Sequence, residues 1–411
     1  MWIKRYDWVL MSLVLILTCY GILMIYSADQ IQTVRTSGVL HHRRQLFWLA
    51  ISLAGMVGIS AFSTRLIEMI TYLAYGLIVL ALGALLLTGQ GVERWMAIPG
   101  TGINLQPAEL AKLTTILALA SYLAARKKNI DSLKDLIVPV LIVALPGSLI
   151  LLQPDLGTSI VFFFLFFGML YWAGLPLTYL FLIVSPIISF LLALFTLLGE
   201  MRFSLWGVFF IFLCVLIFYR RIYLLDAVVF TLANLLTGIL TSTLWNSLKP
   251  YQQNRILVFF QPELDPQGGG WQIIQSKVAI GSGGLLGKGY LEGTQKNLAF
   301  LPAQHTDFIF PLVGEEFGFV GVAVALLLFF LLLHHILELA RVAGSGFSSL
   351  AAIGIASFLF GHIIINVGMT VGLMPITGLP LPLFSYGGSF LLTCYLAIGI
   401  LHRIHMERSS F

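Results

Sequence analysis

Asp265 stands directly before Pro266 and three residues ahead of the run Gly268-Gly269-Gly270. A residue that precedes proline is pushed out of helical geometry. Glycines at that density let the backbone bend sharply and come close to a ligand. A carboxylate in this context is exposed on bent backbone, as a general base requires, and Glu263 is a rival two residues away. Arg255, with Lys277 or Lys288, could bind phosphate oxygens, Arg as a fork and Lys as a point charge. Glycines around Ser282 could present backbone N–H groups to the same anion. His305 reads more readily as structural, holding the stretch against Asp307. All of these lie between Tyr251 and Phe310, a segment too rich in Trp, Ile, Leu and Phe for a disordered spacer. The bland alternative is a connector packed over helix ends.

Three further constellations carry polar chemistry. In Gln106-Pro107-Ala108-Glu109-Leu110-Ala111-Lys112, proline suits a helix start, and Glu109 and Lys112, three apart, share a helix face. They either line a polar cavity or neutralise each other and fix helix depth. In Gln153-Pro154-Asp155-Leu156-Gly157-Thr158, Asp155 either caps the following helix or lines a common cavity. The run from Met374 to Gly388, with three prolines and three glycines around Ser385 and Tyr386, interrupts an apolar pattern. Irregular backbone at membrane depth survives only where protein or a water-filled cavity covers it. This run is either part of a site or a re-entrant packing loop, and Asn366 is placed to hydrogen-bond to it.

The elements that must position these groups are membrane helices. The chain has 411 residues, 59% of them hydrophobic and 10% charged. A soluble surface needs about 25% charged residues, and an apolar run of about 20 crosses a bilayer. Apolar runs fall at 7–27, 45–62, 66–88, 108–125, 136–152, 155–174, 176–198, 204–219, 222–245, 312–337, 347–373 and 385–403. The expectation is an all-α polytopic membrane protein of about twelve spans, one integral membrane domain over 1–411, with 246–311 as a large extracytoplasmic loop. The first run is too long for a cleavable signal and reads as a retained helix. Cys19, Cys214 and Cys394 lie inside apolar runs and show no metal or disulfide spacing. The net charge of +5 is spread over helix ends, so it is no nucleic-acid signal.

Orientation follows from Lys and Arg in short loops. With both termini cytoplasmic, the inner loops hold Lys4, Arg5, Arg65, Arg126, Lys127, Lys128, Lys134, Arg220, Arg221, Arg341, Arg403 and Arg408, against Arg35, Arg43, Arg44, Arg94 and Arg202 outside. That assignment brings Glu93, Glu109, Asp155, Glu263, Asp265, Glu292, Asp307, Glu315 and Glu316 to the outer face. A polar, anionic headgroup with a greasy tail fits such a face better than a water-soluble metabolite. The residues alone do not name the reaction.

QPAELAK at 106–112, QPDLGT at 153–158, NRILVFFQPELDPQGGGWQIIQSKVAIGSGGLLGKGYLEGTQ at 254–295, LPAQHTDFIFPLVGEEFG at 301–318 and PLPLFSYGGS at 380–389 resemble the shape, elongation, division and sporulation family of bacterial membrane proteins. The resemblance spans nearly the whole chain. GKGYLEGTQ followed by LPAQHTDFIF is closer to the elongation branch than to the division branch, with sporulation members nearby. The resemblance implies a peptidoglycan glycosyltransferase that polymerises lipid II into nascent glycan strands outside the cytoplasmic membrane, in complex with a class B penicillin-binding protein. On it, Asp265 matches the family's catalytic acid, and Glu109, Lys112, Asp155 and Arg255 match its cavity residues. Family members commonly read as ten spans, so an extra pair falls within 176–245. In the implied reaction a carboxylate takes the acceptor hydroxyl's proton, worth about 100-fold to 10,000-fold. Arg255, Lys112 and Lys277 would steady the pyrophosphate leaving group. Glu109 and Asp155 would orient those cations or share Mg²⁺ or Mn²⁺, although no motif demands a metal. The competing expectations are a flippase for lipid-linked precursors and a non-catalytic scaffold.

Overall fold

The computed structural model describes residues 6–30, 40–87, 94–98, 103–126, 130, 132–199, 203–261, 263, 265, 268–294 and 304–408. Lys4, Arg5, Arg35, Glu93, Lys127, Lys128, Asp131, Arg202, Pro262 and Pro266 lie outside them. The helices are α1 Trp8–Asp29, α2 His41–Ser60, α3 Thr64–Leu87, α4 Pro107–Ala125, α5 Ile137–Leu152, α6 Leu156–Trp172, α7 Leu177–Leu197 and α8 Phe203–Tyr219. They continue as α9 Leu224–Ile239, α10 Thr241–Ser247, α11 Pro250–Phe260, α12 Gly269–Ser282, α13 Ile309–Arg341, α14 Gly346–Val371 and α15 Gly388–Arg408. Two short strands, β1 Met96–Ile98 and β2 Ile103–Leu105, pair antiparallel with Ala97 opposite Asn104.

Each apolar run expected from the sequence carries a helix, because helices alone satisfy the backbone internally where water is absent. Among the described residues, eight helices are long and apolar enough to cross a membrane, or nine if α9 and α10, bent by 68°, form one span. Helices α6 and α8 are apolar but shorter. Large apolar side chains such as Leu73, Leu80 and Phe218 are more than 60% exposed, as a lipid-facing surface requires. The chain is a multi-pass membrane protein.

The chain forms two compact units, one of residues 1–126, 139–169 and 258–411, the other of 127–138 and 170–257. In the first, α2 lies along α15, α4 packs against α3 and α14, and α13 runs beside α1, α12 and α14. Tyr395, Phe310, Phe329, Phe358 and Phe384 are fully buried in it. Helix α14 opens on Ser345, whose side chain accepts from Ser348 N, and closes on Gly372 in the left-handed region (φ 77°). Residues 373–387 then run without a regular element before α15.

In the second unit α7, α8 and α9 pack together. Their seam is not purely apolar: Asn234 donates to Ser185 Oγ (2.8 Å), Trp206 to Ser189 Oγ (3.2 Å) and Tyr179 to Asp226 (3.0 Å).

The stretch 246–311 is not a loop throughout, for it contains α11 and α12. Its glycines fall at the start of α12, in its last turn and after it, which leaves Trp271–Ile280 without glycine to form a helix.

Candidate functional site

The segment after α14 is where the polar constellations of the first unit meet. Two side chains four apart on α14, and so on one face, grip successive carbonyls of that segment. The His362 ring nitrogen Nδ1 lies 3.1 Å from Pro380 O, and Asn366 Nδ2 donates to Leu379 O at 2.7 Å. The same Asn366 amide reaches Asp307 O at 2.9 Å. Gln45 of α2 holds the far end, donating to Ser385 O (3.1 Å) and accepting from Gly387 N (3.2 Å). Ser385 itself is buried, and its Oγ accepts from Leu381 N at 2.8 Å, pinning the turn.

Helix α4 brings Glu109 and Lys112. Pro107 starts it, as the sequence indicates. Lys112 is completely buried, with Nζ 2.7 Å from Glu109 Oε2 and 3.0 Å from His362 Nε2. The rings of Phe358 and Phe390 lie 5.3 and 5.1 Å from the ammonium, close enough for cation–π attraction. The pair is both self-neutralising and coupled through His362 to the irregular segment.

Asp155 caps α6, accepting from Thr158 N at 3.1 Å. It also meets Arg94 at 3.6 Å and the Gln106 amide at 3.4 Å. Arg94 in turn donates to the carbonyls of Gln153 (3.2 Å) and Pro154 (2.7 Å). In the first turn of α6, Gly157 abuts the irregular segment so closely that a Cβ there would stand 2.5 Å from Thr377 O.

Asp265 is half-buried rather than exposed. Its Oδ2 accepts the Gly269 N–H at 2.9 Å and satisfies one of the donors that the first turn of α12 leaves over. Gly269 in turn faces Ile376, with 3.6 Å between a Cβ there and the Ile376 terminal methyl. Helix α12 is anchored to α14 by Ser276, which donates to Thr370 O at 2.5 Å. Lys277 Cε and Nζ fill the space that a Cβ on Gly372 would need. Glu263 is exposed. Arg255 is exposed on α11 and belongs to the second unit.

Lys288, an anion-binding candidate by sequence, has its ammonium on Glu315 Oε1 (2.8 Å) and Thr294 Oγ1 (2.7 Å). The glycines after Ser282 pack on the start of α13 in place of forming an open anion nest: Lys288 N and Gly289 N donate to the carbonyls of Glu315 and Glu316.

Asp307 lies against the irregular segment, with Oδ2 3.2 Å from where a Gly378 Cβ would be. Burial, with the Asp155 charge adding to it and a Thr306 hydrogen bond opposing, pushes its carboxyl up to about 6. His305 does not meet Asp307 as the sequence suggests. Its ring stacks on His41, and its carbonyl accepts from Tyr386 N at 2.9 Å. Asp29 holds His41 Nδ1 at 2.8 Å and His42 Nδ1 at 2.6 Å. Tyr386 sets its ring edgewise to both His41 and His305. Sequence reading missed His362, Asp29 and His41. The only signal for His362 is its spacing of four from Asn366.

No three His, Cys, Asp or Glu side chains stand together as metal ligands among the described residues.

The family model for FtsW, RodA and SpoVE, described as cell cycle protein, matches residues 7–208 and 186–410. The chain is 35% identical over 440 residues to peptidoglycan glycosyltransferase RodA of Treponema pallidum, covering 99% of each. It is 33% identical over 391 residues to peptidoglycan glycosyltransferase MrdB of Escherichia coli K12, covering 94% of this chain and 91% of that one. A chain from a structure of a peptidoglycan synthase complex, described for its coordination of polymerization and crosslinking, aligns with a TM-score of 0.71 at 30% identity over 99% of both. The rod shape determining protein RodA of Thermus thermophilus aligns with a TM-score of 0.62 at 27% identity, over 98% of this chain and 97% of that one. Matched over nearly its whole length, the chain belongs to the shape, elongation, division and sporulation family and stands with its RodA-like members.

Proposed function

We infer that this chain is a peptidoglycan glycosyltransferase of cell-wall elongation. The observation that carries the reading is the end-to-end similarity to proteins named for that activity. The gathering of Glu109, Lys112, Asp155, Asp265 and Asp307 about one irregular segment is consistent with it. The substrate is lipid II, and the product is a growing glycan strand. The acceptor sugar's hydroxyl oxygen attacks the donor's anomeric carbon, the bond to the lipid pyrophosphate breaks, and the hydroxyl proton passes to Asp265. The Gly269 N–H donates to Asp265 Oδ2 and holds the carboxylate in place to receive it. Lys277 is a proposed pyrophosphate contact, and Arg255, in the second unit, is a separate phosphate-binding candidate. Lys112, fully buried against Glu109 and His362, contributes its charge from behind, and Glu109 and Asp155 hold the polar groups around it. Lys288, Ser385 and Tyr386 are assigned to shaping the substrate groove. A divalent ion, Mg²⁺ or Mn²⁺, would add charge at the leaving group.

In this reading the whole chain is one integral membrane domain of the bacterial cytoplasmic membrane. The twelve apolar runs cross it, both termini are cytoplasmic, and 246–311 lies outside. Its partners are membrane lipids and a class B penicillin-binding protein, which crosslinks the strands. Cysteines placed at Gln267 should be labelled from outside intact cells, and those at Asn129 only after permeabilisation.

Labelled lipid II supplied to the purified protein with its transpeptidase is the test. Glycan polymer supports the reading. Translocation across vesicles without polymer makes the chain a flippase, and retained partner binding with neither makes it a scaffold.

A further inference from the structure

Lys112 and His362 are separated by 250 residues in sequence, yet Nζ and Nε2 lie 3.0 Å apart with both side chains at 0% exposure. An ammonium only donates hydrogen bonds, so Nε2 must offer its lone pair and Nδ1 must carry the ring proton. That proton points at Pro380 O, 3.1 Å away. The tautomer follows from the partners, and the imidazole is neutral. It passes hydrogen bonding in one direction, from Lys112 through the ring to the irregular segment.

Resting on the functional reading above, we propose that His362 is a positioning residue for polymerisation, setting the 373–387 segment relative to the Glu109–Lys112 pair. The ammonium is dry, so each of its N–H groups needs an acceptor or a ring face. Glu109, His362, Phe358 and Phe390 supply them. The carbonyl at the other side of the ring belongs to Pro380, one of three prolines in the segment, each of which lacks an N–H that could help to hold it. His362 and Asn366 therefore grip Pro380 and Leu379 from one helix face. Earlier in the same segment, Ile376 backs the Gly269 end of α12, where Asp265 is held. A shift of Pro380 is thus transmitted to the base through a short stretch of chain.

Initial rates of lipid II polymerisation by the full-length protein with its transpeptidase test this, using His362→Gln, His362→Leu and His362→Asn. A glutamine amide both accepts and donates, so it can serve Lys112 and Pro380. Leucine does neither, and asparagine is too short to serve both. The expected result is a fall in kcat of about 10-fold or more for Leu and Asn at nearly unchanged KM, with Gln within about 3-fold of wild type. A purely structural role predicts losses that follow melting temperature and no rescue by Gln. If the Leu variant does not fold, the Asn and Gln pair decides. Wild-type kcat in the Leu or Asn variant overturns this proposal alone, as does an equal loss in Gln. Absence of polymer from the wild-type complex overturns the functional reading and this proposal with it.

Discussion

The imidazoles of His41 and His305 lie stacked, centroids 3.8 Å apart and planes 19° from parallel. Asp29 fixes the first ring by its Nδ1, and the second is joined to the irregular segment by its own carbonyl. Burial first, and then His41, push His305 down from 6.5 to about 4, against the pull of Asp29. Between those values the unfolded chain binds a proton that the folded chain refuses. Stability from this group is therefore full above 6.5 and lost as pH falls toward 4.

Asp307 has the opposite slope. Its folded value is raised from 3.8 to about 6, so the folded chain holds the extra proton, and stability falls as pH rises through that window. Melting temperatures in detergent should separate the two. Asp307→Asn should melt a few degrees above wild type at pH 7.5 and no higher at pH 4. His305→Gln should lose less than wild type on going from pH 7 to 5. Slopes identical to wild type in both variants would remove these residues as the source.

Asp265→Asn and Asp265→Ala should differ in stability and agree in activity. Asparagine retains an acceptor for Gly269 N–H, whereas alanine leaves that donor open at a cost of about 1 kcal/mol. Both lose the proposed proton acceptor, and polymerisation should drop by about 100-fold or more. Glu263→Ala, at an exposed position, should be far milder. Near-normal turnover by folded Asp265→Asn would move the base to Glu263 or His305.

Lys112→Met leaves the Glu109 carboxylate buried without its cation. Removing one partner of a buried pair costs about 3–5 kcal/mol, whereas replacing both with apolar groups is often neutral. The double variant Glu109→Leu/Lys112→Met should therefore melt above the Lys112→Met single variant, although it should be inactive. A double variant that melts at or below the single one would mean that the pair is not coupled.

Gly157→Ala should displace the irregular segment, because a Cβ there meets the Thr377 carbonyl at 2.5 Å, and backbone cannot swing aside as a side chain can. A loss of about 1–3 kcal/mol is expected, with activity falling further than stability. Gly147→Ala on α5 is the control, since nothing lies within 4 Å of its Cβ. It should be neutral or slightly stabilising. Equal behaviour of the two variants in a thermal melt and a lipid II assay would count against the close approach of α6.

The apolar runs determined by themselves that this chain is a bundle of membrane helices, because a backbone in hydrocarbon has no other partner than its own. Local chemistry was equally legible where the partners are a few residues apart: Pro107 opening α4, Asp155 capping α6, and Glu109 meeting Lys112. Asn366 was placed correctly against the irregular segment because Leu379 follows only 13 residues later. What lay beyond reach were the long-range choices. Lys288 takes Glu315 rather than remaining free, and His305 takes His41 rather than Asp307. His362, an ordinary core residue by its apolar neighbours, becomes the link between Lys112 and Pro380. Each of these groups had several possible partners in the sequence. Only the packing of helices distant in the chain selects one, since a buried donor or charge is satisfied by whichever group the fold brings within about 3 Å.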